Sequence, residues 1–265
     1  MESCKEGEYQ KILLSKEGVL ATIALNKPAA LNALDTPMLH ELQDAIRRIA
    51  ADPEVLVTVV TGCGDRAFCS GIDVNEVRDM DGWRARAIGR ELHQTFSALR
   101  TLEKPVIAAI NGLCLGAGLE LAVSCDLLIG SETSRYGFPH MRIGIPSIVE
   151  AGILPQAIGI FRTKWLCFTA EYWDARQAYD AGLLNQVVPP DRLNATVRAL
   201  AEKLAGYSPI AMALQKEIIH KWMTSDLETA IDFSINTVFM SFESQDQKEG
   251  MRAFLEKRKP IFKGR

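Results

Sequence analysis

Glu120 is where the sequence promises the most chemistry. It lies in Leu115-Gly-Ala-Gly-Leu-Glu-Leu-Ala-Val123, an acid among apolar neighbours. Loss of hydration there disfavours the carboxylate and lifts its pKa toward the range useful for proton transfer. The other reading of the same residue is a first-turn glutamate complementing a helix dipole. Two glycine-punctuated stretches each follow a strand-like run: Ala67-Phe-Cys-Ser-Gly-Ile-Asp73, and Asn111-Gly-Leu-Cys-Leu-Gly-Ala-Gly-Leu-Glu120. Glycine lets the backbone approach a ligand closely and leaves N–H groups free to point at an oxygen. One such amide from each stretch would make an oxyanion hole beside Glu120. Taken singly, each stretch reads first as a tight strand-to-helix turn.

Other chemistries find no support. Gly116-Ala-Gly-Leu-Glu-Leu121 starts like a dinucleotide fingerprint, but Leu121 occupies the third glycine position. G-K-[ST], G-x-S-x-G and H-E-x-x-H are missing. The histidines at 40, 93, 140 and 220 stand far apart and read as surface or core-edge residues, so no metal is expected. The six cysteines contain no C-x-x-C pair, which argues against a disulfide framework or zinc site and for a reducing compartment. A net charge of -3 does not advertise a nucleic-acid or membrane-surface partner. The start lacks a signal peptide's apolar run, and the last three residues are not a peroxisomal address. The longest apolar stretch, Pro105 to Val123, holds Asn111, Glu120 and three glycines and reads as buried core. A cytoplasmic protein is expected.

These residues need elements to position them. With 265 residues, 48% apolar and 24% charged, the chain has ordinary globular composition and enough length for a sizeable core. Strands are expected at Lys11 to Leu14, Val19 to Leu25, Val55 to Thr61, Val106 to Ile110 and Leu127 to Ile129. The unbroken apolar run Val55-Leu-Val-Thr-Val-Val60 suits a strand covered on both faces, hence parallel pairing with helical crossovers. One crossover starts at Asp35 or Thr36, with Pro37 in its first turn and Leu39, Leu42, Ile46 and Ile49 at spacings of three and four. Another helix is expected over Trp83 to Leu102. Beyond Pro189-Pro190 the pattern is helical, at Leu193 to Ala205, Pro209 to Met223, Leu227 to Met240 and Gln245 to Lys257. The expectation is an α/β core over residues 1–195 and a helical segment over 196–265 that must pack on the core or on another subunit.

Five motifs in this order resemble the enoyl-CoA hydratase/isomerase (crotonase) superfamily. They are Asn26-Lys-Pro-Ala-Ala-Leu-Asn-Ala-Leu34, Ala67 to Asp73, Asn111 to Leu121 with Cys125-Asp126, Tyr136-Gly-Phe-Pro139, and Gly144-Ile-Pro146. The resemblance runs from about residue 10 to the Lys257-Arg-Lys-Pro-Ile-Phe262 tail. It implies a spiral of ββα units, a C-terminal helical segment for trimers or dimers of trimers, and stabilisation of an enolate-like anion of an acyl-CoA thioester. By position, the oxyanion donors would be the backbone N–H groups of Ser70 and Ala117. Lys27, Ala29 and Leu31, then Ala67, Gly71, Ile72, Asp73 and Val74, match segments that hold coenzyme A. Leu115, Gly116 and Pro139 complete the substrate-binding set. Coenzyme A would be part of the substrate, with no permanently bound cofactor.

Hydratases of this family use two glutamates, and Glu120 matches the first. The second follows the F/Y-G-x-P motif, where this chain has His140. Histidine could share the proton work. Alternatively His140 marks an isomerase, hydrolase or lyase that uses Glu120 alone, a non-catalytic acyl-CoA or RNA-binding relative, or simply a polar pocket wall. Glu150 reads first as an ordinary first-turn carboxylate and second as a replacement acid. Hydration of a 2-enoyl-CoA is the expected activity. Charge is uneven along the chain: residues 247–265 hold seven Lys/Arg against two Glu, a net of +5. That makes Phe254 and Lys257 candidates for meeting the coenzyme A nucleotide, across a subunit boundary if the chain is oligomeric.

Overall fold

A computed structural model describes residues 8–264; the chain start with Cys4, and Arg265, lie outside the described residues. Among the described residues the strands are β1 (Ile12–Glu17), β2 (Leu20–Leu25), β3 (Val57–Gly62), β4 (Ala67–Cys69), β5 (Val106–Ile110), β6 (Leu113–Leu115), β7 (Leu127–Ser131), β8 (Arg135–Gly137), β9 (Tyr172–Asp174) and β10 (Gln186–Val188). The helices are α1 (Thr36–Ala51), α2 (Val74–Val77), α3 (Gly82–Arg100), α4 (Ala117–Val123), α5 (Leu154–Ile158), α6 (Ile160–Thr169), α7 (Ala175–Asp180), α8 (Leu193–Ala205), α9 (Pro209–Thr224), α10 (Leu227–Glu243) and α11 (Gln245–Leu255).

The strands among the described residues form two sheets. The larger has the order β1-β2-β3-β5-β7-β10, antiparallel at β1/β2 and parallel from β2 onward. The smaller has the order β4-β6-β8-β9, with β4, β6 and β8 parallel. The chain steps from a large-sheet strand to a small-sheet strand and then into helix, as in β3-β4-α2 and β5-β6-α4. That is the expected spiral of ββα units. The small sheet was not legible, because three-residue strands carry too little alternation to read.

The expected double-sided burial of the Val55 to Thr61 run has a clear cause. One face of the large sheet packs with Leu39, Leu42, Ile46 and Ile49 of α1, the other with Leu193, Val197 and Ala201 of α8. A 16-residue helix is marginal alone, and each fully buried leucine contributes about 1.5 to 3 kcal/mol, so α1 owes its stability to this face. Asp35 caps α1, its side chain accepting from the Met38 amide at 3.0 Å. The expected boundary at 195/196 falls inside α8, which covers β3, β5 and β7.

Helices α9 and α10 pack mainly on each other, and none of the α9 residues is buried. Trp222, Ile231, Ile235, Phe239 and Phe242 remain exposed. Asp246 ties the tail down: it is buried, accepts from Ser208 Oγ at 2.8 Å and from the Lys263 amide at 2.7 Å. No helix among the described residues is long and apolar enough to cross a membrane.

Candidate active site

The carboxyl ends of β4, β6 and β8 lie side by side, where a parallel sheet gathers its ligand-binding turns. They lead into Ser70–Asp73, Gly116–Glu120 and Phe138–His140, so the small sheet assembles the three predicted stretches in one place.

Gly116 and Gly118 are needed for different reasons. Gly116 has φ +55° and ψ -128°, a conformation that side-chain-bearing residues avoid. A Cβ on it would also lie 2.8 Å from His140 Nε2. A Cβ on Gly118 would sit 2.3 Å from the Cys69 carbonyl oxygen, so only glycine lets α4 lie against the end of β4. Between them Ala117 opens α4, and its N–H is among the first-turn donors that have no partner within the helix.

The second amide is a correction. The Ser70 N–H is occupied, donating to the Leu31 carbonyl at 3.0 Å. Ile72 forms a parallel bridge with Leu34, in which the Leu34 N–H donates to Gly71 O at 2.8 Å and the Asp73 N–H donates to Leu34 O at 2.7 Å. In that arrangement Ile72's own N–H points away from Leu34, and no acceptor in the described residues takes it. Gly71 brings this loop against α4, since a Cβ on it would lie 3.5 Å from Ala117 N. The two unclaimed amides are therefore those of Ile72 and Ala117. Gly71, with φ +109°, turns the loop between Ser70, the donor the resemblance implied, and Ile72, whose amide is unclaimed.

Glu120 follows one turn into α4 and is 2% exposed. Burial lifts its carboxyl pKa to about 7; the backbone amides of Val149, Ala151 and Ile148 pull it down, and the neighbouring Glu150 pushes it up. Its Oε1 has no hydrogen-bond partner. A carboxyl balanced near neutrality can both take and give a proton.

Glu150, read first as an ordinary first-turn carboxylate, does open a turn but is buried there. It opens the 3-10 turn Glu150–Ile153, which packs on α4, and it is 4% exposed. Its Oε1 lies 2.8 Å from His93 Nδ1 and 3.8 Å from Arg100 Nη2, both on α3. Burial raises its pKa, opposed by His93 and Arg100. His93, read as a surface or core-edge residue, is exposed, and it stands one helical turn after Gly89, whose missing side chain admits Ile148.

His140 sits beside Gly116, with Nδ1 3.2 Å from Ser147 Oγ. Burial lowers its pKa, favouring the uncharged ring. Of the residues predicted to hold coenzyme A, Lys27 bonds to Asp35 at 2.6 Å and to Asp73 at 2.7 Å, fastening the Asn26–Leu34 segment to the loop after β4. Ala29 and Val74 are exposed, Pro139 is half-buried, and Ala67, Gly71, Leu115 and Gly116 are buried. Leu31 has φ +54° in the turn ahead of α1. Phe254 and Lys257 are exposed at the end of the C-terminal helices, and no hydrogen bond or ion pair among the described residues joins them to the loops around Glu120.

The family model for enoyl-CoA hydratase/isomerase matches residues 15–265. The chain belongs to the enoyl-CoA hydratase/isomerase family. Among its relatives, the short-chain-enoyl-CoA hydratase of Clostridium acetobutylicum is 39% identical over 253 residues, 95% of this chain and 97% of that protein. The crotonyl-CoA hydratase of Syntrophomonas wolfei is 37% identical over 96% of this chain and 98% of that protein. A crystal structure of enoyl-CoA hydratase from Bacillus anthracis superposes with a TM-score of 0.93 at 33% identity, covering 97% of this chain and all of that one. As a member of the enoyl-CoA hydratase/isomerase family, this chain has glutamate at position 120 of α4 and histidine directly after Tyr136-Gly-Phe-Pro139.

Proposed function

We propose that the protein hydrates a 2-enoyl-CoA thioester to the 3-hydroxyacyl-CoA. The observation that carries this reading is a buried carboxyl balanced near neutrality, Glu120, beside the two unclaimed amides of Ile72 and Ala117. The thioester oxygen accepts from both amides. As water adds at the β-carbon, negative charge moves onto that oxygen, where fixed donors are worth about 3 to 4 kcal/mol each. Glu120 handles a proton in this step, as general base toward water or as acid toward the α-carbon. The names of the two hydratase relatives support the reaction type.

Lys27, Ala29, Leu31, Asp73 and Val74 line the approach along which the coenzyme A arm reaches the site. The exposed apolar face of α9 and α10 supports a trimer or dimer of trimers, in which Phe254 and Lys257 of one copy reach the nucleotide bound by its neighbour. The buried thiols Cys69, Cys114 and Cys125 suit a reducing cytoplasm. Coenzyme A enters as substrate, with no resident cofactor. The test is a panel of 2-enoyl, 3-enoyl and saturated acyl thioesters of coenzyme A: hydration of the 2-enoyl esters is expected, and binding of the panel without turnover sinks the reading.

A further inference from the structure

Glu150 is a buried carboxyl that the chemistry of Glu120 and the two amides leaves idle, and it is met from α3 by the exposed His93 and the half-buried Arg100. Burying a carboxylate is expensive unless it is paired, and each lone pair left without a hydrogen bond adds to the cost. Here only Oε1 of Glu150 is engaged, by His93 at 2.8 Å and Arg100 at 3.8 Å, while Oε2 is buried without a partner. Glu120 has the same character, with Oε1 likewise unpartnered. The two are adjacent: the amides that flank Glu150 in the chain, those of Val149 and Ala151, face the Glu120 carboxyl. Two neighbouring carboxyls, each with one oxygen left open, are what a two-proton reaction needs.

We propose that Glu150 is the second proton-handling group of the hydration site and that His93 is the positioning residue that holds it. The proposal rests on the hydratase reading above. Together the two carboxyls hold one proton. Water loses a proton to the ionised carboxyl as its oxygen bonds to the β-carbon. The π electron pair moves toward the α-carbon, which takes the proton of the other carboxyl. Both parts of one water end in the product, and the pair again holds one proton, on the opposite partner. Proton transfer between the two restores the starting state.

The sequence builds this second acid from a different place than the position after Pro139. Gly89, His93 and Arg100 recur at spacings of four and seven along one face of α3. Gly89 seats Ile148, and His93 and Arg100 then meet Glu150 as the chain passes. The charged and titratable groups facing Glu150 are His93 and Arg100 from α3 and Glu120 from α4. His220 of α9 lies behind Arg100, with Nδ1 3.3 Å from its Nη1.

The experiment measures kcat, KM and melting temperature with crotonyl-CoA for wild type, E150Q, H93A and H93N; asparagine can place its amide nitrogen where His93 has Nδ1. Glu150→Gln should lower kcat about a hundredfold or more, the usual scale for a lost acid/base group, with KM within about threefold. His93→Ala should lower kcat about tenfold at unchanged KM, and His93→Asn should recover most of that loss at the same melting temperature. A wild type that hydrates no enoyl ester overturns the hydratase reading. A wild type that hydrates crotonyl-CoA, with E150Q within about threefold in kcat, overturns the role of Glu150 alone. If E150Q does not fold, the His93 pair decides: full kcat in H93A, or no recovery in H93N, overturns the proposal.

Discussion

Replacing Glu120 by glutamine should make the protein more stable while it destroys activity, and the size of the effect follows from the site. Burial lifts the Glu120 carboxyl from its ordinary 4.5 to about 7. At about 1.4 kcal/mol for each tenfold change in proton affinity, that is about 3 kcal/mol. The folded state keeps a proton that the unfolded chain releases between pH 4.5 and 7, so this contribution is fully present below pH 4.5 and is lost as pH rises through 7. Glutamine keeps the shape and the acceptor oxygen facing the amides of Val149 and Ala151 but does not titrate. Urea unfolding of wild type and Glu120→Gln at one protein concentration, at pH 4 and pH 8, reads the difference. The two proteins should unfold alike at pH 4, and the variant should be more stable by up to about 3 kcal/mol at pH 8. A variant that is equally or less stable at pH 8, or whose advantage does not change with pH, refutes the account of Glu120 as a desolvated carboxyl.

Asn32 is fully buried, donates from Nδ2 to the carbonyls of Cys63 at 3.0 Å and Ala67 at 2.8 Å, and accepts from the Lys27 amide at 3.0 Å. Asn32→Ala orphans these groups and should cost about 2 to 4 kcal/mol, seen as a lower urea midpoint; a change below about 0.5 kcal/mol would contradict the assigned bonding. His140→Ala should slow crotonyl-CoA hydration by about tenfold or more, through loss of the imidazole beside Gly116. Unchanged kinetics from pH 5 to pH 9 would reduce His140 to a pocket wall.

The fold was legible where periodicity is long. The run after Val55, the α1 stripe of Leu39, Leu42, Ile46 and Ile49, and the four C-terminal helices all formed close to their expected limits. Glu120 was legible because an acid inside an apolar glycine-rich stretch is costly to bury, and a chain that bears that cost marks a site. What escaped was set by geometry that sequence order does not carry. The small sheet is made of strands too short to show alternation. The free amide moved from Ser70 to Ile72 because the positive φ at Gly71 turns the chain. Glu150 read first as an ordinary first-turn carboxylate because its partners His93 and Arg100 lie 57 and 50 residues away on another helix. Only the Gly89–His93 spacing hinted that one face of α3 was reserved for a crossing chain.

Product analysis in deuterium oxide tests the central claim most directly. Crotonyl-CoA treated with the wild-type protein should give 3-hydroxybutyryl-CoA carrying one deuterium on the α-carbon, and Glu120→Gln under the same conditions should give almost none. Release of free coenzyme A, migration of the double bond, or full hydration by the glutamine variant would contradict it.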